Sequence, residues 1–443
     1  MNKFDLECFD TYKENNCLEV KKAKSGLPQS LWETYSAFAN TYGGMIILGV
    51  EELNNRRWKT SGLKTKDKEK LLDEFWNQAH STQKINLNLL TEKDIETYEI
   101  KDDLIIVIHV PMAKREQKPI FINNDLFRET FERTNSGDHH CSSQQVKAML
   151  RDQAEDTMDM NIIEEMNVDV LNKETIYSYR NRHRLYRSGH TWEDLDDETY
   201  LLRIGAIKLG KDNKLHPTAA GLLMFSEEYN ITNYFLEYFL DYREMLDPTI
   251  RWSDRVQSSS GEWTGNLFDF YFRVYNKIIR NIKVPFVLID GNRVDDTPVH
   301  RAIREVLANT LINTDFYLPR GIVIKQDFDN LIFENPGSIR VGKNQMLLGG
   351  ESDPRNKALM KMFNLVGIGE RAGSGVPELF TVWKNQGWDD PIIEEMFDPN
   401  RTLIRLNFKK TSTETSTKTS SKNIDSILNK NESKMIDCMV SAK

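Results

Sequence analysis

The chain is poor in cysteine, in long apolar runs and in positive charge. Its four cysteines (Cys8, Cys17, Cys141, Cys438) are scattered through 443 residues and form no C-x-x-C. They read as reduced thiols of a cytoplasmic protein. No apolar run approaches the length of a membrane span, and the start Met-Asn-Lys-Phe-Asp-Leu-Glu lacks the apolar stretch of a secretory signal. The net charge of −8 excludes a uniformly basic nucleic-acid coat. A local basic patch stays open, because binding fields depend on where charges cluster. No internal repeat is visible.

What is present is enough chain for two or three domains. The segment Leu31 to Asn40 carries Leu31, Tyr35 and Phe38 on one helical face. Met45–Val50 and Leu104–Val110 are continuous apolar runs, as buried strands are. Phe121-Ile122 and Phe127–Arg133 read as edge strands. Ser142 opens a helix, with Gln145 in the capping-box position. Residues from about Ala154 to Glu228 read mostly as helix. Val299–Ile312 reads as a helix, and Gly321–Lys325 with Asn330–Asn335 as a hairpin. The Thr/Ser/Lys/Glu stretch Thr411–Ser421 is low complexity and reads as a disordered linker before a short helical tail. The fold class is α/β (α+β) and multidomain. The expected divisions are 1–152, a helical connector at 153–230, an α/β sandwich at 231–410 and the tail at 411–443.

Two constellations carry chemistry. In the first, Glu14 and Glu19 precede the Met45–Val50 strand, and Glu51 and Glu52 follow it. Convergent carboxylates hold Mg²⁺ or Mn²⁺, and such an ion can activate water against a phosphodiester. Lys21, Lys22 and Lys24 lie beside them, and Arg56, Arg57 and Lys59 follow around Trp58, a candidate stacking platform. By spacing alone, a solvated surface explains these residues better than a site does. In the second, Glu305 and Asn309 lie four apart on one helix face. Glycines at 337, 373 and 375 could let backbone N–H groups approach an anion.

Both constellations resemble known families. Glu19-Val20-Lys21, then Ser36-Ala37-Phe38-Ala39-Asn40-Thr41 with Gly43-Gly44 and Ile47-Leu48-Gly49-Val50, resembles the Schlafen AlbA domain, to about Asp152. The resemblance implies an acidic triad, Glu14, Glu19 and Glu51, as catalytic metal ligands for RNA cleavage. Lys21 would be a phosphate contact, and Lys22, Lys24, Arg56, Arg57 and Lys59 would form the nucleic-acid face. Glu51 stands where the nucleases have Asp.

The set Arg304-Glu305-x-x-x-Asn309-x-x-x-Asn313-x-Asp315, Glu334-Asn335-Pro336-Gly337 and Gly369-Glu370-Arg371-Ala372-Gly373-Ser374-Gly375 resembles the GHKL-type ATP-binding domain that follows AlbA domains in bacterial RecG-like regulators. It implies ATP at Glu305, Asn309, Asn313, Asp315, Asn335, Gly337, Arg371, Gly373, Ser374 and Gly375. Asn313 replaces the usual His, and Glu334-Asn335-Pro336-Gly337 replaces Asp-x-Gly, so weak Mg²⁺-dependent binding with little turnover is expected.

Two functions follow. One is a metal-dependent endonuclease that prefers RNA. The other is a non-catalytic nucleic-acid-binding regulator whose ATP-like domain controls assembly, as a homo-oligomer. His139-His140-Cys141 lacks zinc spacing and reads as a loop. Trp252, Trp263 and the aromatics of Phe268–Phe272 read as packing.

Overall fold

The computed structural model describes residues 4, 6, 9, 12 and 14–409, apart from 54–56, 101, 135–136, 155–156, 248, 283–286, 290–291, 295, 370–374 and 398. Arg56, Arg371, Gly373, Ser374 and the segment from Thr411 lie outside the described residues. The chain divides into two compact units. One holds residues up to Ala113 and Ile120–His140, and the other holds Lys114–Pro119 and the chain from Cys141 to Lys410.

The first unit contains β1 (Leu18–Lys21), α1 (Leu31–Asn40), β2 (Gly44–Leu48), β3 (Val50–Glu52), β4 (Trp58–Thr60), α2 (Lys68–Ala79), β5 (Ile95–Ile100), β6 (Asp103–Val110), β7 (Phe131–Thr134) and β8 (Gly137–His140). Its main sheet has the order β1-β2-β6-β5, with β1 parallel to β2. Both faces of the two central strands are covered. Ile46, Leu48, Ile106 and Ile108 pack with Leu31, Tyr35 and Phe38 of α1, while Ile47, Ile105 and Val107 pack with Leu18, Val20 and Trp58. Burial on both sides is why these strands read as unbroken apolar runs. Gly49 holds φ +88, and a Cβ there would meet the Leu104 carbonyl oxygen at 2.3 Å. Only glycine fits, and the chain turns there from β2 into the separate hairpin β3–β4.

The polar residues of Ser36-Ala37-Phe38-Ala39-Asn40 point inward. Asn40 donates to the carbonyls of Ile120 (2.8 Å) and Phe131 (2.9 Å) and accepts the Ile120 N–H at 2.8 Å. Ser36 donates to the Ile120 carbonyl at 2.7 Å and accepts the Phe131 N–H at 3.1 Å. The segment Phe121-Ile122 makes isolated bridges rather than a strand, and the expected strand over 127–133 is confined to Phe131–Thr134. His139 and His140 lie on β8 rather than in a loop, and His140 packs on Phe131 with ring centroids 4.3 Å apart.

The second unit begins with α3 (Ser143–Gln153), α4 (Lys173–Tyr186), α5 (Asp197–Ile204), the hairpin β9 (Ile207–Leu209) and β10 (Leu215–Pro217), α6 (Ala219–Phe225) and α7 (Glu228–Tyr234). It continues with β11 (Leu240–Glu244), β12 (Asp254–Gln257), α8 (Leu267–Asn281), β13 (Val287–Ile289), β14 (Asn292–Val294), α9 (Pro298–Ile312), β15 (Ile322–Gln326), β16 (Asn330–Pro336), α10 (Lys343–Leu348), α11 (Lys357–Leu365), α12 (Gly375–Gln386), β17 (Ile392–Phe397) and β18 (Asn400–Asn407). Ser142 caps α3 with Gln145 in reciprocal bonds, as its sequence predicts. Pro298 opens α9 at a position where its missing N–H costs nothing. A six-stranded sheet runs β12-β11-β15-β16-β18-β17. Its inner residues, among them Leu240, Tyr242, Ile322, Ile324, Phe333 and Leu406, join the apolar faces of α8 and α9 in one core. The alternate residues of each strand form the outer face.

Candidate functional site

Glu19 and Lys21 alternate with the buried Leu18 and Val20 of edge strand β1, so both emerge on the α1 side of the sheet. Neither side chain is free. The Glu19 carboxylate accepts from Lys21 at 3.2 Å and from Arg133 at 2.8 Å. Lys21 also donates to Ser30 Oγ at 3.1 Å, and its side chain is 8% exposed. Arg133, on β7, is 1% exposed and reaches Asp138 at 2.7 Å with its other nitrogen. Glu14 accepts the Val20 N–H at 3.1 Å. Burial pushes the Glu14 carboxyl up; the Val20 bond opposes this, and the charges of Glu19 and Glu52 add to it.

Glu51 does not join Glu14 and Glu19. After the turn at Gly49, adjacent residues of β3 face opposite ways, and Glu52 is the one that reaches Glu14, accepting its N–H at 3.4 Å. Glu51 instead meets Lys22 at 2.6 Å, and that bond holds its carboxyl below the usual range. A Mg²⁺ or Mn²⁺ ion held by Glu14, Glu19 and Glu51 therefore does not fit these residues. Glu19 already serves two cations, Glu51 faces away, and among the described residues no three His, Cys, Asp or Glu side chains converge as a metal site.

Lys22, Lys24, Arg57 and Lys59 are exposed. Ser61 Oγ bonds the Lys22 carbonyl, Lys24 Nζ lies beside Gly62, and Lys59 pairs with Glu51 across β3–β4. Lys22, Lys24 and Lys59 thus gather around one hairpin, with Glu51 between Lys22 and Lys59. Trp58 is not a stacking platform: it is 5% exposed and stacks on Tyr12 at 5.4 Å.

The second unit contains an open cleft between α9, α10, α12 and the inner sheet face. Glu305, Asn309, Asn313, Asn335 and Gly375 line it. A Cβ on Gly375 would come within 2.7 Å of the Glu305 side chain, so the start of α12 must lie against that carboxylate. Asn309 donates to Glu305 at 3.1 Å, leaving its amide oxygen for a ligand. Asn313 donates to the Asn309 carbonyl and accepts the Arg355 N–H, closing the end of α9. Two expected residues fall elsewhere. Asp315 pairs with Arg151 at 2.6 Å and is 3% exposed, and Gly337 lies against the Arg355 guanidinium.

Sequence reasoning missed Arg340, Glu351, Asp353 and Thr402, which also line the cleft. No spacing relative to α9 marks them; only the fold brings them there. Among described lining residues, the carboxylates Glu305, Glu351 and Asp353 oppose the single guanidinium of Arg340. Asp353 is paired with Arg340 and Arg115, so Glu305 and Glu351 leave the described lining acidic, which opposes phosphate without a cation. Arg133 and Asp138 were missed for the same reason: what ties them to the site, Glu19 for Arg133 and Thr34 for Asp138, lies more than 100 residues away in sequence.

Comparison with known proteins follows this division. Residues 13–142 match the family model "Schlafen, AlbA_2", and residues 147–241 match a domain of unknown function, DUF8451. Residues 320–402 match "Putative ATP-dependent DNA helicase recG C-terminal". No curated protein matches. Among solved structures, the DIP2311 protein from Corynebacterium diphtheriae is 18% identical, with a TM-score of 0.45, over 89% of this chain and 75% of that one. The N-terminal domain of a RecG-related protein from Nitrosomonas europaea is 25% identical, with a TM-score of 0.21, over 28% of this chain and 81% of that one. The chain therefore carries a Schlafen AlbA-type domain at its N-terminus and a RecG C-terminal-type domain toward its C-terminus, and its function is related to nucleic acid.

Proposed function

We propose that this protein binds nucleic acid without cutting it, and that a nucleotide modulates it. The observation that carries the reading is the clamp on Glu19: a carboxylate held by Lys21 and a buried Arg133 is a structural ion pair rather than an open ligand. The exposed Lys22, Lys24, Arg57 and Lys59 supply the phosphate contacts. In the second unit, Glu305 and the Asn309 amide oxygen would face the Mg²⁺ that accompanies the phosphates of ATP, with Gly375 beside them, and Asn335 would face the base. Mg²⁺ bound with ATP would offset both the triphosphate charge and the acidic lining. No helix among the described residues is long and apolar enough to cross a membrane, and a cytoplasmic location is in keeping with this reading.

The test is incubation of the full chain with labelled single-stranded RNA, tRNA and duplex DNA, with Mn²⁺ or with EDTA. Binding without strand scission in either condition is expected. Mn²⁺-dependent scission that disappears in Glu19→Gln would overturn the non-catalytic reading.

A further inference from the structure

The outer face of the six-stranded sheet carries a row of cations that the core does not require. Strand register aligns Arg255 on β12, Arg243 on β11, Lys325 on β15, Ile332 on β16 and Arg405 on β18. Neighbouring strands lie about 4.8 Å apart, so the row spans about 19 Å. Like charges directly opposite one another on adjacent strands are unfavourable. Here Arg255 faces Arg243, and Arg243 faces Lys325.

Neutralisation is incomplete. Asp241 serves both Arg243 (2.6 Å) and Arg255 (2.8 Å), and Glu334 serves Lys325 at 2.7 Å. Arg405 is exposed. The face is not covered as the inner one is: Arg243, Arg255 and Lys325 are 30%, 26% and 31% exposed.

Two rows further along β18 lies Arg401. It is 3% exposed, and none of its guanidinium nitrogens has a hydrogen-bond partner. Its nearest carboxylate oxygen, on Glu334, is 3.8 Å away. Burial lowers the proton affinity of this guanidinium, and Arg320 adds like charge. A buried guanidinium without bonds is costly, and its planar fork matches the oxygens of a phosphate. At the opposite end of the face, the half-exposed Trp252 ring has Arg251 and Arg255 at 4.5 and 4.8 Å from its centroid. Counting Arg401, the face sets five cations against Asp241, Glu334 and Glu394, a positive surplus on a chain of net charge −8.

We propose that this outer face binds the sugar-phosphate backbone of a single-stranded polynucleotide, with Arg401 and Arg405 on phosphates and Trp252 beside a base. Arg243, Arg255, Lys325 and Arg405 all reach solvent across this face. A strand laid across it can use every cation of the row, whereas duplex grooves are read by an inserted helix or ribbon. The inference is separate from the N-terminal basic hairpin, since it concerns the other unit.

The test measures fluorescence anisotropy of a labelled single-stranded RNA on the full chain from 50 to 250 mM KCl. Wild type is compared with Arg405→Ala, Arg401→Met and Lys22→Ala/Lys59→Ala. The log–log salt slope should fall by about 0.7 for each outer-face cation removed. Arg401→Met should weaken RNA binding while unfolding at the same or a higher temperature, because it removes an unsatisfied buried charge. Unchanged slopes in Arg405→Ala and Arg401→Met overturn the proposal, and a loss confined to the Lys22→Ala/Lys59→Ala variant then leaves the N-terminal reading standing alone. A lower unfolding temperature with unchanged affinity would make Arg401 structural and overturn its role. Release of RNA from wild type but not from Arg401→Met by millimolar inorganic phosphate would assign the face to a small phosphate ligand instead.

Discussion

The Glu19 carboxylate and the Arg133 guanidinium, 114 residues apart in sequence, meet at 2.8 Å in the first unit. Arg133 is 1% exposed and also serves Asp138. Removing it leaves Glu19 with Lys21 as its one cation and Asp138 with the Thr34 hydroxyl in place of a cation. Arg133→Met should destabilise the protein by about 3–5 kcal/mol, as breaking a buried pair does. Glu19→Gln should cost clearly less, because Asp138 still holds the guanidinium. Urea denaturation of the two variants decides it, and equal losses would sink the clamp.

Asn40 is 2% exposed and makes three bonds to the main chain of Ile120 and Phe131. Asn40→Ala should cost about 3 kcal/mol, because buried main-chain groups lose their partners. Asn40→Asp keeps an acceptor for the Ile120 N–H but loses both donated bonds, so it should be no better. Thermal unfolding that leaves Asn40→Ala within a degree of wild type would contradict the hydrogen-bond assignment.

Lys118 gives stability a pH dependence. Burial lowers its pKa to about 8, with Glu395 and Asp152 opposing the shift. Between about 8 and the unfolded value near 10.4, the unfolded chain binds the extra proton. This residue's contribution therefore rises with pH across that window and is unfavourable below it. Chemical denaturation from pH 7 to 10.5 should show the rise in wild type and not in Lys118→Met. An identical pH profile in both would refute it.

The acidic lining of the cleft predicts how ATP binds. Titration calorimetry should show heat with ATP and Mg²⁺, none with ATP and EDTA, and none with Asn309→Ala. Glu351→Gln removes one opposing charge and should tighten binding by about 0.5 kcal/mol, the scale of a partly exposed charge interaction. Weaker binding in Glu351→Gln would mean that this carboxylate holds the cation instead.

Much of the fold was legible because it is written in short-range pattern. The apolar runs of β2 and β6, the amphipathic α9, the hairpin β15–β16 and the cap at Ser142 all follow from local periodicity and hydrogen-bond chemistry. The site was less legible. Choosing between Glu51 and Glu52 depends on how the chain leaves Gly49, and one residue of shift reverses every side chain. Trp252 and Trp263 look alike in sequence. Yet Trp263 packs on Phe270 and bonds the Gln257 carbonyl, while Trp252 lies half-exposed among arginines. Asp315 sits in a motif with Asn309 and Asn313, but Arg151, far upstream, draws it away. That pairing is not set by neighbours in sequence.

Ser36 and Asn40 tie α1 to two distant stretches of main chain and expose almost nothing to solvent. The stretch that makes this domain recognisable is therefore a fastening inside the scaffold. Selection to keep the fold would preserve it whether or not the edge of the sheet retained any chemistry. A protein could exchange every carboxylate around β1 and β3 and still display the same signature. Relatives sorted by that signature would share an architecture, and their activities would have to be read from the residues that face water.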